Sequence, residues 1–185
     1  MFLLRLIIIV FISLSISACA INPKGNTYLV ETTGLYTLDS GDVVRVSVYG
    51  DRELTGTFQV GDGGAISYPL VGQLAVRGLT TKQVAAKISS ALANGYMRNP
   101  NVAVEMATYR PFFIQGEVAR SGQYPYVYGM SVRAAISLAG GFNDTAERSF
   151  VIIYRKQGSE MIKGTVQLDF PIQPGDTIVI TDRWL

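Results

Sequence analysis

The chain has 185 residues, room for one ordinary domain or two small ones. Its 16 basic and 14 acidic residues leave a formal net charge of +2 with no Lys/Arg cluster, which argues against a nucleic-acid partner. Histidine is absent and there is a single cysteine, so the commonest general base, an internal disulfide and a Cys-rich metal site are all excluded; no metal or cofactor is expected.

Residues 1–18 read MFLLRLIIIVFISLSISA. One positive residue, Arg5, precedes an apolar stretch from Leu6 to Ile16. That length fits the ~7–15 residues of a signal-peptide core and falls short of the ~20 needed to span a bilayer. Ile16-Ser17-Ala18-Cys19 resembles a bacterial lipobox. The resemblance implies that residues 1–18 are a lipoprotein signal peptide and that the mature chain begins at Cys19, which carries acyl chains such as palmitate. Several chains at ~0.8 kcal/mol per buried CH₂ give a stable membrane anchor. Ala20, rather than Asp, follows the cysteine and resembles an outer-membrane address. Residues 19–35, polar with Gly and Pro, read as a lipidated tether.

The first module then opens at Tyr36. One phrase is written twice in the chain, as YTLDSGDVVRVSVYG at Tyr36–Gly50 and FPIQPGDTIVITDRW at Phe170–Trp184. Each copy holds an apolar residue (Leu38, Ile172), a Gly-Asp pair (Gly41-Asp42, Gly175-Asp176) and an alternating β-branched run. Glycine permits a positive φ, and Asp can bond the N–H groups of a turn. The pattern predicts a turn feeding a half-buried strand. Thr57–Val60 and Ala65–Pro69, joined by Gly61–Gly64, predict a hairpin. Val84, Ile88 and Leu92 recur every fourth residue, predicting an amphipathic helix over Lys82–Asn94 with Thr80 and Gln83 as its capping box. Asn99-Pro100 breaks the chain before a strand through Val102, Val104 and Met106.

The second module is predicted to hold strands at Phe112–Gly116 and, after a turn at Ser121-Gly122, at Tyr124–Tyr128. A short helix over Val132–Ala139 is capped by Ser131 and closed by Gly140-Gly141. Phe150–Arg155 and Thr177–Thr181 supply further strands. The expected class is α+β, in two consecutive modules over residues 36–109 and 110–185. Each is small enough for its own core to be marginal, which favours packing between modules or oligomerisation. No C-terminal transmembrane helix is expected, because no stretch beyond residue 18 offers ~20 apolar residues.

Taken in order, these phrases resemble the polysaccharide export family, the outer-membrane lipoproteins of capsule and exopolysaccharide secretion. Tyr36-x-Leu38-x-x-Gly41-Asp42, the stretch VGDGGAISYPLVGQLAVRGLT at Val60–Thr80 and Arg98-Asn99-Pro100-x-Val102-x-Val104 resemble its export domain. Gln115-Gly116-Glu117-Val118, Gly122-x-Tyr124, Ala139-Gly140-Gly141 and Pro174-Gly175-Asp176-Thr177 resemble its soluble ligand-binding β-grasp (SLBB) module. The resemblance implies a mixed sheet with one amphipathic helix in the export domain and a β-grasp fold in the second. It further implies a homo-oligomeric ring, anchored in the outer membrane and facing the periplasm. That ring docks on an inner-membrane polysaccharide co-polymerase, often linked to a tyrosine kinase, and passes the exported polysaccharide outward. Larger members add modules and a pore-lining helix. This chain is expected to be a short member that relies on a separate protein, such as a β-barrel, for outer-membrane passage. The competing expectation is a monomeric envelope lipoprotein that binds a soluble glycan or peptidoglycan.

Paired carboxylates cleave glycosides, but Asp42, Asp62 and Asp176 each sit in a Gly-Asp turn where bonding to local N–H groups suffices, and no enzyme is expected. Gly63, Pro69, Gly72, Gly78, Pro100, Gly116, Gly122, Gly140 and Gly141 are read as structural turn positions beside Gly41 and Gly175. Glu117 is read as a turn or interface carboxylate. Tyr124, Tyr126 and Tyr128 alternate, so a strand would put them on one face, as a glycan-facing stripe or, preferably, as a packing or subunit interface. Phe112 and Phe113 are expected to point opposite ways. Arg110, Arg120, Arg133 and Arg148 are read as solvated surface.

Overall fold

A computed structural model describes residues 34–158 and 160–184. The signal peptide, Cys19 and residues 19–33 of the tether lie outside the described residues. Strand β1 (Val43–Val48) leaves the first Gly-Asp turn with Val44, Val46 and Val48 buried and Arg45 and Ser47 exposed. Each such burial stabilises by roughly 1.5–3 kcal/mol, so the alternation fixes which face of the strand meets the core. Tyr49-Gly50, with Gly50 at φ 82°, turns β1 directly into β2 (Asp51–Gln59). The sheet order is β2-β1-β5, with β5 (Val102–Thr108) on the other flank of β1.

The predicted Thr57–Val60/Ala65–Pro69 hairpin does not form. β2 already pairs antiparallel with β1, Val43 opposite Gln59, and so has its ladder partner before the chain reaches Gly61. The Gly61–Gly64 turn is present, but it swings the chain into a separate hairpin of β3 (Ala65–Tyr68) and β4 (Gly72–Ala75). Within the turn Gly64, not Gly63, needs its glycine: its φ is 76°, and a Cβ there would stand 2.6 Å from the Cβ of Arg77.

Helix α1 (Thr81–Ala93) has the predicted reciprocal capping box between Thr80 and Gln83, and buries Val84, Ile88 and Leu92. Those three join Leu38, Val44, Val46, Ile66 and Tyr68 in one core. The Tyr68 hydroxyl donates to the Leu54 carbonyl at 2.7 Å, which satisfies the polar end of that buried ring. Ser89 Oγ donates to the Pro100 carbonyl at 3.0 Å and ties the helix to the start of β5. Asn99 takes φ 53°, a conformation Asn tolerates better than most residues.

The second core is separate and belongs to a five-stranded sheet of order β7-β6-β10-β8-β9. Its strands are β6 (Phe112–Gly116), β7 (Gly122–Tyr124), β8 (Phe150–Gln157), β9 (Glu160–Gln167) and β10 (Thr177–Ile180). Helix α2 (Val132–Leu138) starts at Ser131 and buries Val132, Ala135 and Ile136 into that core. β6 and β10 run parallel while the other pairs are antiparallel, so the mixed sheet lies here. The ladders of the first module are all antiparallel. Overall the described chain is α+β in two consecutive domains, and no helix in it is long and apolar enough to cross a membrane.

The expected strand over Tyr124–Tyr128 ends at Tyr124. Pro125 has no N–H to offer a ladder, and a turn follows at Tyr128-Gly129. The three tyrosines therefore do not share one strand face. Phe112 is fully buried and Phe113 is 42% exposed, the opposed pair that strand geometry requires.

Gly116 closes β6 against the end of β10. Its φ is 96°, and a Cβ added there would collide with the Ile180 carbonyl. Gly116→Ala is expected to lower stability by roughly 3 kcal/mol through positive-φ strain plus forced displacement of β10. Gly63→Ala, in open space, should cost less than about 0.5 kcal/mol. Urea denaturation of the two variants checks this; equal midpoints would remove the argument.

Candidate functional site

The two Gly-Asp turns are built alike. In the first, the Asp42 amide donates to the Asp39 carbonyl at 3.2 Å, and a carboxylate oxygen of Asp42 accepts the Asp39 N–H at 2.9 Å. In the second, the Asp176 amide donates to the Gln173 carbonyl at 3.1 Å, and its carboxylate accepts the Gln173 N–H at 2.7 Å. Gly41 and Gly175, at φ 93° and 85°, let the chain turn there, and their N–H groups donate to Val60 and Pro111 carbonyls. Both carboxylates are buried, so each requires a cation.

The source of the cation differs. Asp176 is held by Arg155 of β8 through two parallel bonds, from Nε at 2.8 Å and Nη2 at 2.7 Å. This pair lies within the second module. Asp42 is held by Arg110, from the three-residue link between β5 and β6. The Arg110 backbone N–H donates to Asp42 Oδ1 at 2.9 Å, and its Nη1 donates to Oδ2 at 3.1 Å and to the Tyr36 hydroxyl at 2.9 Å. Tyr36 donates its own proton to Asp42 Oδ2 at 2.6 Å. Burial first, then this bond to a carboxylate, pushes the Tyr36 phenol well above its ordinary value of 10.0, so it stays a donor. Arg110 is thus a clamp, where a solvated surface cation was expected. Its side chain also packs on the second turn: a Cβ at Gly175 would stand 2.8 Å from Arg110 Nε. Tyr109 lies between Tyr36 and Tyr126, edge-on to both at 5.1 and 5.3 Å between ring centroids.

Beside this joint lies an open cleft of about 720 Å³ between the modules. Its lining includes Tyr36, Asp39, Arg77, Tyr128 and Lys156. Arg77 is held through two of its three nitrogens: Nε pairs with Asp39 Oδ1 at 2.9 Å, and Nη2 donates to Ser40 Oγ and the Asp62 carbonyl, each at 2.6 Å. Asp62 therefore serves through its backbone; its exposed carboxylate makes none of the turn bonds expected of it. Lys156 Nζ stands 3.8 Å from Asp39 Oδ2. Burial works to raise the Asp39 carboxyl, but the Ser40 N–H and the cations Arg110, Lys156 and Arg77 outweigh it and hold the group below its ordinary 3.8.

Most other expected site residues serve structure. Tyr124 stacks on Phe112 at 6.0 Å and donates to the Arg120 carbonyl, whereas Tyr128 is 78% exposed in the cleft. Pro69 and Gly72 flank a tight turn in which Leu70 takes φ 65° and the Val71 N–H reaches the Pro69 carbonyl at 2.7 Å. Gly78 lines the cleft and donates to Leu38. Gly140 and Gly141 return their N–H groups to Ser137 and Ile136 at the end of α2. Gly122 begins β7. Glu117 accepts from Thr145 Oγ1 at 2.6 Å and so ties its turn to a loop 28 residues further along the chain. Arg133 meets Asp169 at the surface, and Arg148 stands over Phe142. Among the described residues no three acidic or thiol side chains gather as a metal site.

Two family models match the chain in succession. One, described as polysaccharide biosynthesis/export protein, covers residues 30–107; the other, the SLBB domain, covers residues 111–165. The chain belongs to the polysaccharide export family. The two matches leave only residues 108–110 between them, and Arg110 of the clamp is one of these. Among curated relatives, an exopolysaccharide production protein, ExoF, of Rhizobium meliloti (strain 1021) is 41% identical over 90 residues, covering 48% of this chain and 21% of that protein. A polysialic acid transport protein, KpsD, of Escherichia coli is 29% identical over 159 residues, covering 80% of this chain and 28% of that protein. The chain therefore spans less than a third of the length of these curated relatives.

Removing the Asp42 charge leaves Arg110 without its buried counter-ion. Asp42→Asn is expected to cost about 3 kcal/mol, while Asp62→Asn costs less than about 0.5 kcal/mol; melting temperatures of both variants decide it. The Asp39 carboxyl is depressed on folding, so its stabilisation is present above its unfolded value of 3.8 and lost as pH falls through the lower folded value. Asp39→Asn should flatten the fall in melting temperature between about pH 5 and about pH 3. An unchanged acid limb would assign that fall to other carboxylates.

Proposed function

We propose that this chain is a non-enzymatic subunit of an envelope channel that exports a capsular polysaccharide or exopolysaccharide. The observation that carries this reading is the succession, in one chain, of an export domain and an SLBB module. The relatives named for exopolysaccharide production and polysialic acid transport support it. In this reading Cys19 bears the lipid that holds the chain on the outer membrane, facing the periplasm. Copies of the chain close into a ring around a hydrated passage, and one face of the ring meets an inner-membrane co-polymerase. The role is geometric. The Arg110 clamp sets the angle between domains, and a fixed angle is what a closed ring needs from each subunit.

Native mass spectrometry of the detergent-extracted protein reads the acyl mass and the subunit count together. A closed oligomer of acylated chains is expected; an acylated monomer would instead favour a monomeric glycan-binding lipoprotein. In cells, deleting the gene should abolish the secreted glycan, and unchanged secretion would overturn the export role. Cys19→Ser should free the protein into the periplasm without acyl mass. A variant that stays on the membrane unacylated removes the anchor.

A further inference from the structure

We infer that the cleft between the two domains is a binding site for an acidic saccharide, one carboxylate-bearing sugar at a time, with Lys156 as its cation and Tyr128 as its stacking platform. The charges in and beneath the cleft are unequal in their commitments. Arg110 is taken up by Asp42 and Tyr36, and Arg77 by Asp39, Ser40 and the Asp62 carbonyl. Three cations thus face two carboxylates, and the surplus positive charge resides on Lys156. That residue is half-exposed and touches Asp39 only loosely, at 3.8 Å, from an oxygen on the same carboxylate that Arg77 already holds. An ammonium so placed gains most from a second, incoming carboxylate.

The aromatic half of the site is equally specific. Tyr128 is 78% exposed while its neighbour Tyr126 is tied into the Tyr109 edge contact, so Tyr128 alone offers the cleft an unpacked ring. A ring with one apolar face and a polar tip suits the mixed surface of a pyranose. Gly129 and Gly158 line the same cleft, and a Cβ at either would meet nothing within 4 Å, so space beside Tyr128 and Lys156 is open. The volume of about 720 Å³ falls in the usual range of small-ligand sites, and the open mouth admits part of a longer chain.

This inference deepens the export reading and rests on it for the reason a glycan meets the cleft; binding itself is measured apart from export. Isothermal titration calorimetry on the full chain in neutral detergent would compare the trimer of galacturonic acid with neutral maltotriose. The acidic trimer is expected to bind in the millimolar range or tighter and to weaken as salt rises. Lys156→Gln and Tyr128→Ala should each weaken it at least about fivefold, as loss of one charge pair or one stacking face predicts. Arg148→Gln, outside the cleft lining and over Phe142, should leave it unchanged. Equal binding of maltotriose, or an unchanged affinity in Lys156→Gln, overturns the charge assignment. No binding of the acidic trimer by a chain that still restores glycan secretion to a deletion strain overturns this inference alone and leaves the export reading standing.

Discussion

The fully buried carboxylate of Asp42 is the constraint on which the rest depends. Burying it costs several kcal/mol unless its lone pairs and charge are satisfied. Four donors do so: the Tyr36 hydroxyl, the Asp39 N–H, and both the backbone and the guanidinium of Arg110. Two of those donors come from the single residue that follows Tyr109 in the link between the domains. Satisfying Asp42 therefore positions the link, and with it the start of β6. The domain angle follows from where that buried charge finds its cation.

The second copy of the phrase shows what the first does differently. Asp176 has the same turn and the same N–H acceptor geometry, but its arginine sits on β8, two strands from β6 in the same sheet. That pair closes the SLBB module upon itself. Arg155 is also left with Nη1 buried and without a partner among the described residues, so the bidentate pair holds against a residual polar cost. In the export domain the equivalent cation is supplied from outside, so a local motif becomes a joint. The Arg110 stem lies on the second turn as well, and one side chain thus touches both copies.

Much of the fold was legible in the residues, and the gaps have physical causes. The helix over Thr81–Ala93, the β1 alternation and the opposed Phe112/Phe113 pair follow from periodicity and capping, which are local. Strand pairing is not local. The 57–69 segment has the composition of a hairpin, yet β2 is claimed by β1, to which it is joined by a tighter turn. β9 escaped because Gly164, one of its two buried residues, has no side chain to mark the pattern, and its other positions are mostly polar. The site was hardest to see. Arg110 looked like one of four scattered cations, and only the burial of Asp42 separates it from Arg133, which meets Asp169 in the open. One signal was available: a Gly-Asp turn that buries its carboxylate needs a cation, and Arg110 stands where one domain hands over to the next.

The joint also differs in kind from what it joins. Each domain keeps its apolar core to itself, and the two clusters share no residue. What lies between them is polar and aromatic: Arg110 with Tyr36, Tyr109 with Tyr126, Lys156 near Asp39. Apolar cores of this size resist opening because water gains nothing there. A polar joint exchanges its bonds for water at a smaller net loss, about 1 kcal/mol per neutral bond and more for charged ones. Any yielding between the domains must therefore begin at this seam, and the cleft lies along it. A ligand that bridges Lys156, carried by the SLBB module, and the Asp39–Arg77 wall, carried by the export domain, would add bonds across the seam. Occupancy of the cleft and stiffness of the domain angle are then two readings of the same free energy.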